Sequence, residues 1–130
     1  MHSSELVRIV RGDCLRFLKT QKSRENEFDL TFLDPLFNQG KDYRSHDDSM
    51  LDTDYWDWMR EICGLIFDRT SAGGALYFMQ REKNTEHVLR VMREAGWHFQ
   101  NLIIWQKKTS AVPSLQRFCK ENAQSTLRTG

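Results

Sequence analysis

A chain of 130 residues, 39% hydrophobic and 28% charged, is long enough for one domain with its own core, or for part of a larger protein. That composition excludes disorder of the whole chain. No apolar run approaches the roughly eighteen residues of a membrane span, and the opening Met-His-Ser-Ser-Glu has no signal-peptide character, so neither membrane insertion nor secretion is expected. The net charge of +1 is unevenly spread: residues 1–26 carry six basic and three acidic side chains, residues 27–68 three and eleven, and residues 69–130 ten and four, a pattern compatible with an acidic site beside a cationic surface.

Leu6 to Val10 reads as a short strand ending at Gly12-Asp13, after which Cys14, Leu15, Phe17 and Leu18 recur at helical spacing. Gln21 to Glu27 is a polar loop. Phe28-Asp29-Leu30-Thr31-Phe32-Leu33 then reads as a buried strand stopped by Pro35, which leaves Asp34 at its carboxyl end. Residues 35–53 form a long loop of the kind that compact domains keep mainly for function. Asp52, Thr53 and Asp54 offer a helix cap, and Tyr55, Trp58, Met59, Ile62, Leu65 and Ile66 share one stripe of the helix that follows. Ala72-Gly73-Gly74 reads as a helix-to-strand turn, and Ala75 to Met79 as a second buried strand. Asn84 caps a further helix with Val88, Leu89, Val91, Met92 and Ala95 facing inward and Gly96 at its end, and Phe99 to Trp105 makes another strand. From Lys107 onward the pattern dissolves. Residues 1–113 are thus read as the domain and residues 114–130 as a polar tail, with one weak helix around Leu115 and Phe118 and no further strand. Four strands alternating with three helices predict an α/β domain with a mostly parallel sheet, in which a ligand sits beyond the carboxyl ends of the strands.

Three cysteines, Cys14, Cys63 and Cys119, form no CxxC pair and have no histidine at ligand spacing. They predict a reducing, cytoplasmic setting without a metal site, each thiol acting as a small apolar filler. His46, His87 and His98 are scattered and read as surface or packing residues.

The segment richest in chemistry is Leu33-Asp34-Pro35-Leu36-Phe37-Asn38-Gln39-Gly40, where a carboxylate, a proline and an aromatic ring leave the tip of a strand together. For a nucleobase with an exocyclic amine, Asp34 and a backbone carbonyl can accept both N–H bonds and so make the nitrogen a better nucleophile. Phe37 can stack on a base flipped out of its duplex, and Pro35 stiffens the acceptors. Taken alone, Asp34-Pro35 can equally end a strand while Phe37 fills a core.

In its motifs the chain resembles the DNA amino-methyltransferases that modify adenine N6 or cytosine N4, whose hallmark is Asp/Asn/Ser-Pro-Pro-Tyr/Phe. The likeness covers about residues 5–113. Gly12-Asp13-Cys14-Leu15 is similar to the family's Gly-Asp-Cys segment, Asp34 to Tyr43 to its catalytic loop, and Ile103-Ile104-Trp105-Gln106-Lys107 to the strand leading towards target recognition. The resemblance implies a partial Rossmann-like methyltransferase fold, an S-adenosyl-L-methionine cofactor, a flipped base, and methyl transfer without a covalent enzyme intermediate, in the setting of DNA methylation and restriction-modification. Asp at the first motif position favours adenine N6, since Ser is commoner there in the cytosine enzymes. By the same resemblance Asp34, Pro35, Leu36 and Phe37 form the catalytic segment, and Asp13, Cys14 and Asp34 lie towards the cofactor. Lys41, Tyr43, Arg44, Lys107 and Lys108 are the candidates for DNA contact.

Two departures stand out: Leu36 replaces the family's second proline, and no Phe-x-Gly-x-Gly cofactor loop precedes Gly130. The chain is therefore expected to correspond to the amino-terminal portion of an enzyme, completed by a second chain or by self-association. An inactive remnant or half-enzyme is one alternative, and an RNA or protein-glutamine methyltransferase is the other.

Overall fold

The computed structural model describes residues 2–3, 6–20, 27–37, 42–43, 46–47, 51–106 and 113–120. At the amino terminus β1 (His2–Ser3) pairs antiparallel with β2 (Arg8–Ile9), and α1 (Cys14–Thr20) follows. Next come β3 (Phe28–Leu33), a two-residue hairpin of β4 (Asp42–Tyr43) and β5 (His46–Asp47), and the long α2 (Asp52–Arg69). The chain continues through β6 (Thr70–Arg81), a 3-10 turn at Glu82–Asn84, α3 (Thr85–Glu94), β7 (His98–Ile104) and β8 (Pro113–Cys119).

The central sheet has the order β3-β6-β8-β7. β3 pairs parallel with β6, whereas β8 is antiparallel to both β6 and β7. Three of these strands therefore point the same way, as an α/β domain predicts, but β8 runs against them from the middle of the sheet. Two of the three pairings are antiparallel, so the sheet is mixed and not mostly parallel.

Here the structure corrects the sequence reading. Residues 113–119 are an inner strand, neither a polar tail nor a weak helix, and the domain extends past residue 113. The alternation Leu115, Gln116, Arg117, Phe118 hides it, because a glutamine and an arginine stand where a buried strand is expected to be apolar. Phe118 is 1% exposed and Gln116 is fully buried. The stretch around Leu6 to Val10 supplies only β2, which pairs with β1 and stays outside the central sheet. β3 is not buried on both faces as its apolar run suggests: it lies at the sheet edge, with Leu30 62% and Phe32 56% exposed.

Helix α2 organises the core. Tyr55, Met59, Ile62 and Ile66 lie along its buried stripe, joined by Trp56 and Cys63, while Trp58 and Leu65 are only partly covered. The predicted cap is not made by a side chain. Leu51 holds the N-cap position, and Asp52 and Asp54 sit in the first turn, where carboxylates oppose the positive end of the helix dipole. Gly73 and Gly74 are not a turn between elements but part of β6, in a bulge where Phe28 pairs with Thr70 and Leu30 already pairs with Ala75. Gly73 has φ +79°, a left-handed conformation that glycine adopts without steric cost.

Helix α3 buries Val88, Val91 and Met92 completely against this core. Asn84 occupies its N-cap position without a side-chain cap bond. At its other end Gly96, at φ +108°, closes the helix as expected, with the Trp97 N–H donating to the Met92 carbonyl at 3.0 Å. A Cβ on Gly96 would meet the Phe67 ring at 3.1 Å. Polar bonds fasten the layers together. The Trp97 indole N–H donates to the Cys63 carbonyl at 3.0 Å, Arg69 Nη2 donates to the Leu18 carbonyl at 3.0 Å, and Lys120 Nζ donates to the carbonyls of Phe67 and Thr70 at 2.7 Å each. Among the described residues no helix is long and apolar enough to cross a membrane.

Candidate active site

The chain leaves β3 at Asp34 and enters α1 through Gly12-Asp13, and the two exits open onto one cleft of about 700 Å³. Its wall comprises Arg11, Gly12, Asp13 and Cys14 from the first segment, Leu33, Asp34, Pro35 and Leu36 from the second, and Trp58, Met59 and Ile62 from α2. Residues 13, 14, 34, 35 and 36 of the sequence-derived site are thus brought together beyond the carboxyl end of a parallel strand, where α/β sheets commonly bind ligands.

Two carboxylates face an apolar floor in this cleft, and their surroundings differ. Asp34 is exposed. Asp13 also caps α1: its Oδ2 accepts the Arg16 N–H at 3.0 Å, and its carbonyl accepts the Phe17 N–H at 3.0 Å. Desolvation pushes the Cys14 thiol above its ordinary 9.0, and the neighbouring Asp13 carboxylate pushes it the same way. Burial raises the Cys63 thiol much further, with Cys14 adding to the effect. Both therefore stay protonated at neutral pH, which does not favour nucleophilic attack; Cys63 is the buried filler the sequence predicts, whereas Cys14 is exposed and does not fill the core.

Phe37 does not join this cleft. It is half-buried and lines a smaller polar recess of about 110 Å³ with Asp52, Tyr55, Trp56, Arg81, Lys83 and Asn84. Between cleft and recess stands Tyr55, whose hydroxyl donates to the Leu36 carbonyl. Lys41, Arg44, Lys107 and Lys108 lie outside the described residues, as does the side chain of Tyr43, whose backbone belongs to β4. His87 is a packing residue as read, stacked on Trp56 with ring centroids 5.2 Å apart.

Sequence reasoning missed Arg11 and Trp58 in the cleft wall, Arg81 and Lys83 beside Phe37, and a polar group formed by the buried Tyr55 and Gln80 with the half-buried Asn84. One signal for the last was available. Gln80 follows the apolar run Ala75 to Met79 at the carboxyl end of its strand, and a glutamine there needs a polar partner.

A family model for DNA methylases of the N6/N4 type matches residues 28–126. The chain belongs to this DNA methylase family. Among the relatives of this chain is the type II methyltransferase M.HpaI of Haemophilus parainfluenzae, 25% identical over 99 residues that make up 75% of this chain and 31% of that protein. Two solved structures share the fold. The cytosine-N4-specific PvuII DNA methyltransferase superposes with a TM-score of 0.63 at 15% identity, covering 91% of this chain and 52% of the other. TTHA0409 of Thermus thermophilus, complexed with S-adenosyl-L-methionine, superposes with a TM-score of 0.60 at 15% identity, covering 86% of this chain and 52% of that one. The chain thus spans about half the length of these solved relatives and less than a third of M.HpaI.

Proposed function

We propose that this chain carries the base pocket and one wall of the S-adenosyl-L-methionine site of a DNA methyltransferase acting on adenine N6. The observation that supports this best is the meeting of the Asp13 and Asp34 segments at one cleft. Its volume of about 700 Å³ lies within the range of ligand sites, roughly 300–1,000 Å³. Two carboxylates against the single guanidinium of Arg11 leave this wall net acidic, which beside Trp58, Met59 and Ile62 suits a ligand that combines a positive charge with an aromatic ring. When bound, S-adenosyl-L-methionine supplies an electrophilic methyl group.

The rest of the chemistry falls to this chain's own residues. Asp34 and the Pro35 carbonyl accept the two N–H bonds of the exocyclic amine and direct its lone pair away from the ring. After transfer the amine loses a proton to Asp34 or to water, so no catalytic histidine is needed. Asp13 borders the adenine side of the cofactor with Cys14 beside it, and Phe37 turns out of its neighbouring recess to capture the extruded base. Lys41, Arg44, Lys107 and Lys108 hold DNA phosphates as cations near the groove, and Tyr43 does so as a hydroxyl donor.

The experiment joins this chain to the remaining portion of a full-length relative and measures transfer of tritiated methyl groups to duplex DNA, followed by digestion and identification of the modified base. N6-methyladenine is expected. N4-methylcytosine would overturn the choice of base, and incorporation into RNA or glutamine amides instead of DNA would overturn the substrate class. The 130-residue chain by itself is expected to bind the cofactor weakly or not at all in calorimetry, because the sequence holds no Phe-x-Gly-x-Gly loop.

A further inference from the structure

The acceptor loop after β3 is tied to the same, carboxyl end of the neighbouring strand β6 and to the start of α3 by a chain of buried and part-buried hydrogen bonds. The Tyr55 hydroxyl donates to the Leu36 carbonyl and accepts from Gln80 Nε2 at 3.0 Å. Gln80 Oε1 in turn accepts the Arg81 N–H at 3.0 Å and Asn84 Nδ2 at 3.3 Å. Those two donors fix which way the amide faces: its oxygen is committed to Arg81 and Asn84, so its NH2 must point to Tyr55. With that donor arriving, the hydroxyl proton is free to turn towards Leu36. The direction of the whole relay is therefore set from the start of α3. Tyr55 is 2% exposed and Gln80 fully buried, and the tyrosine ring is held edge-on between Trp56 and Trp58, at centroid distances of 5.0 and 5.9 Å. Buried and satisfied, such a chain holds its members in one arrangement.

Leu36 is also where this chain lacks the family's second proline, and a leucine leaves the backbone free to rotate where a proline fixes φ. We propose that Tyr55 and Gln80 are positioning residues that do the work of that missing ring, holding the Leu36 carbonyl so that Asp34 and the Pro35 carbonyl stay aimed into the cleft. This rests on reading the 34–37 segment as the acceptor of the base amine.

The test uses the full 130-residue chain by NMR, without DNA or cofactor. Tyr55→Phe removes one hydroxyl and keeps the ring. It is expected to move the Leu36 carbonyl carbon shift towards its unbonded value and to lower the amide order parameters of Leu36 and Phe37 from about 0.85 to below about 0.6, while those of Val91 and Met92 in α3 stay rigid. Gln80→Met should loosen the same two amides, and the double variant should do no more than the larger single effect, as members of one chain are not additive. Asn84→Ala, at the half-buried outer end of the relay, should produce a smaller change in the same amides and covers the case in which a core variant does not fold. Rigid Leu36 and Phe37 amides in folded Tyr55→Phe, or additive effects of Tyr55→Phe and Gln80→Met, would overturn the relay. Asp34→Ala serves as the separating control. It should leave the order parameters unchanged while lowering transfer about a hundredfold or more in the completed enzyme, so a loop rigidified by Tyr55 in a protein that never methylates DNA refutes the function and leaves the relay standing. In that completed enzyme Tyr55→Phe should lower kcat about three- to tenfold with KM for DNA unchanged, the scale of one neutral hydrogen bond.

Discussion

Asp13 and Asp34 line the same cleft, yet only one of them is built into the fold. The Asp13 carboxylate caps α1 through the Arg16 N–H at 3.0 Å, whereas Asp34 is exposed at the end of β3. Asp13→Ala should therefore cost about 1 kcal/mol of stability, the usual loss for an N-cap, and Asp34→Ala less than about 0.5 kcal/mol. Methyl transfer in the completed enzyme should reverse that ranking. Asp34→Ala should reduce it about a hundredfold or more, mainly in rate and not in DNA affinity, as for loss of one oxyanion-type contact. Denaturant melts of both variants beside tritium incorporation per folded molecule decide the matter, and an unchanged rate in Asp34→Ala would remove this residue from the site.

The edge strand β3 makes a separate forecast. Its register sets Leu30 beside Ala75 and Phe32 beside Tyr77, so these exposed side chains share the sheet face opposite Leu76 and Phe78, on a strand that pairs on only one side among the described residues. Unpaired edges with apolar side chains invite association. Sedimentation of the 130-residue chain should show concentration-dependent assembly, and Phe32→Lys should shift it towards monomer with little change in melting temperature. A stable monomer at high concentration would count against this account.

Cys63 provides a pH signature. Burial holds its thiol far above the ordinary 9.0, so the folded protein keeps a proton that the unfolded chain gives up. The stabilisation is fully present below about pH 9 and is lost as pH rises towards the folded value, by up to about 1.4 kcal/mol per pH unit. Urea midpoints measured between pH 7 and pH 11 should fall at the alkaline end, and Cys63→Ala should flatten the part of that slope due to this thiol. An identical slope in wild type and variant would assign the alkaline loss elsewhere.

Helices α2 and α3 are legible in the sequence because their apolar residues recur at helical spacing over enough turns, and Gly96 marks an end that no other residue tolerates as well. β8 is not legible, since Gln116 and Arg117 interrupt the apolar pattern and the strand's place between β6 and β7 depends on pairing with distant residues. The same division holds at the site. Asp34, Pro35 and Leu36 stand in one motif and Asp13 in another, and both motifs can be read directly. That they share a cleft, and that Tyr55 reaches Leu36 from behind its wall, are facts of tertiary packing that local spacing does not encode. From the sequence Tyr55 reads as core because it falls on the apolar stripe of α2; its ring does pack there, while its hydroxyl does the polar work.

The loop itself can be tested by restoring what the motif lacks. Leu36→Pro keeps the carbonyl that Tyr55 holds and fixes φ, so it should stabilise the fold by about 0.4–1 kcal/mol through the unfolded chain and raise methyl transfer in the completed enzyme. The gain should be larger in a Tyr55→Phe background, where the loop has lost its other restraint. Phe37→Ala probes the neighbouring position. Its ring lines the recess with Arg81 and Lys83 and lies outside the main cleft, so base capture requires it to turn towards the extruded base. If it does, Phe37→Ala should weaken binding of DNA carrying a mismatched or abasic-flanked target by about 1–3 kcal/mol with the melting temperature nearly unchanged. If the ring only fills its recess, the same variant should lower the melting temperature and leave DNA affinity per folded molecule intact. Fluorescence anisotropy titrations beside thermal melts separate the two, and the second result would confine Phe37 to a packing role.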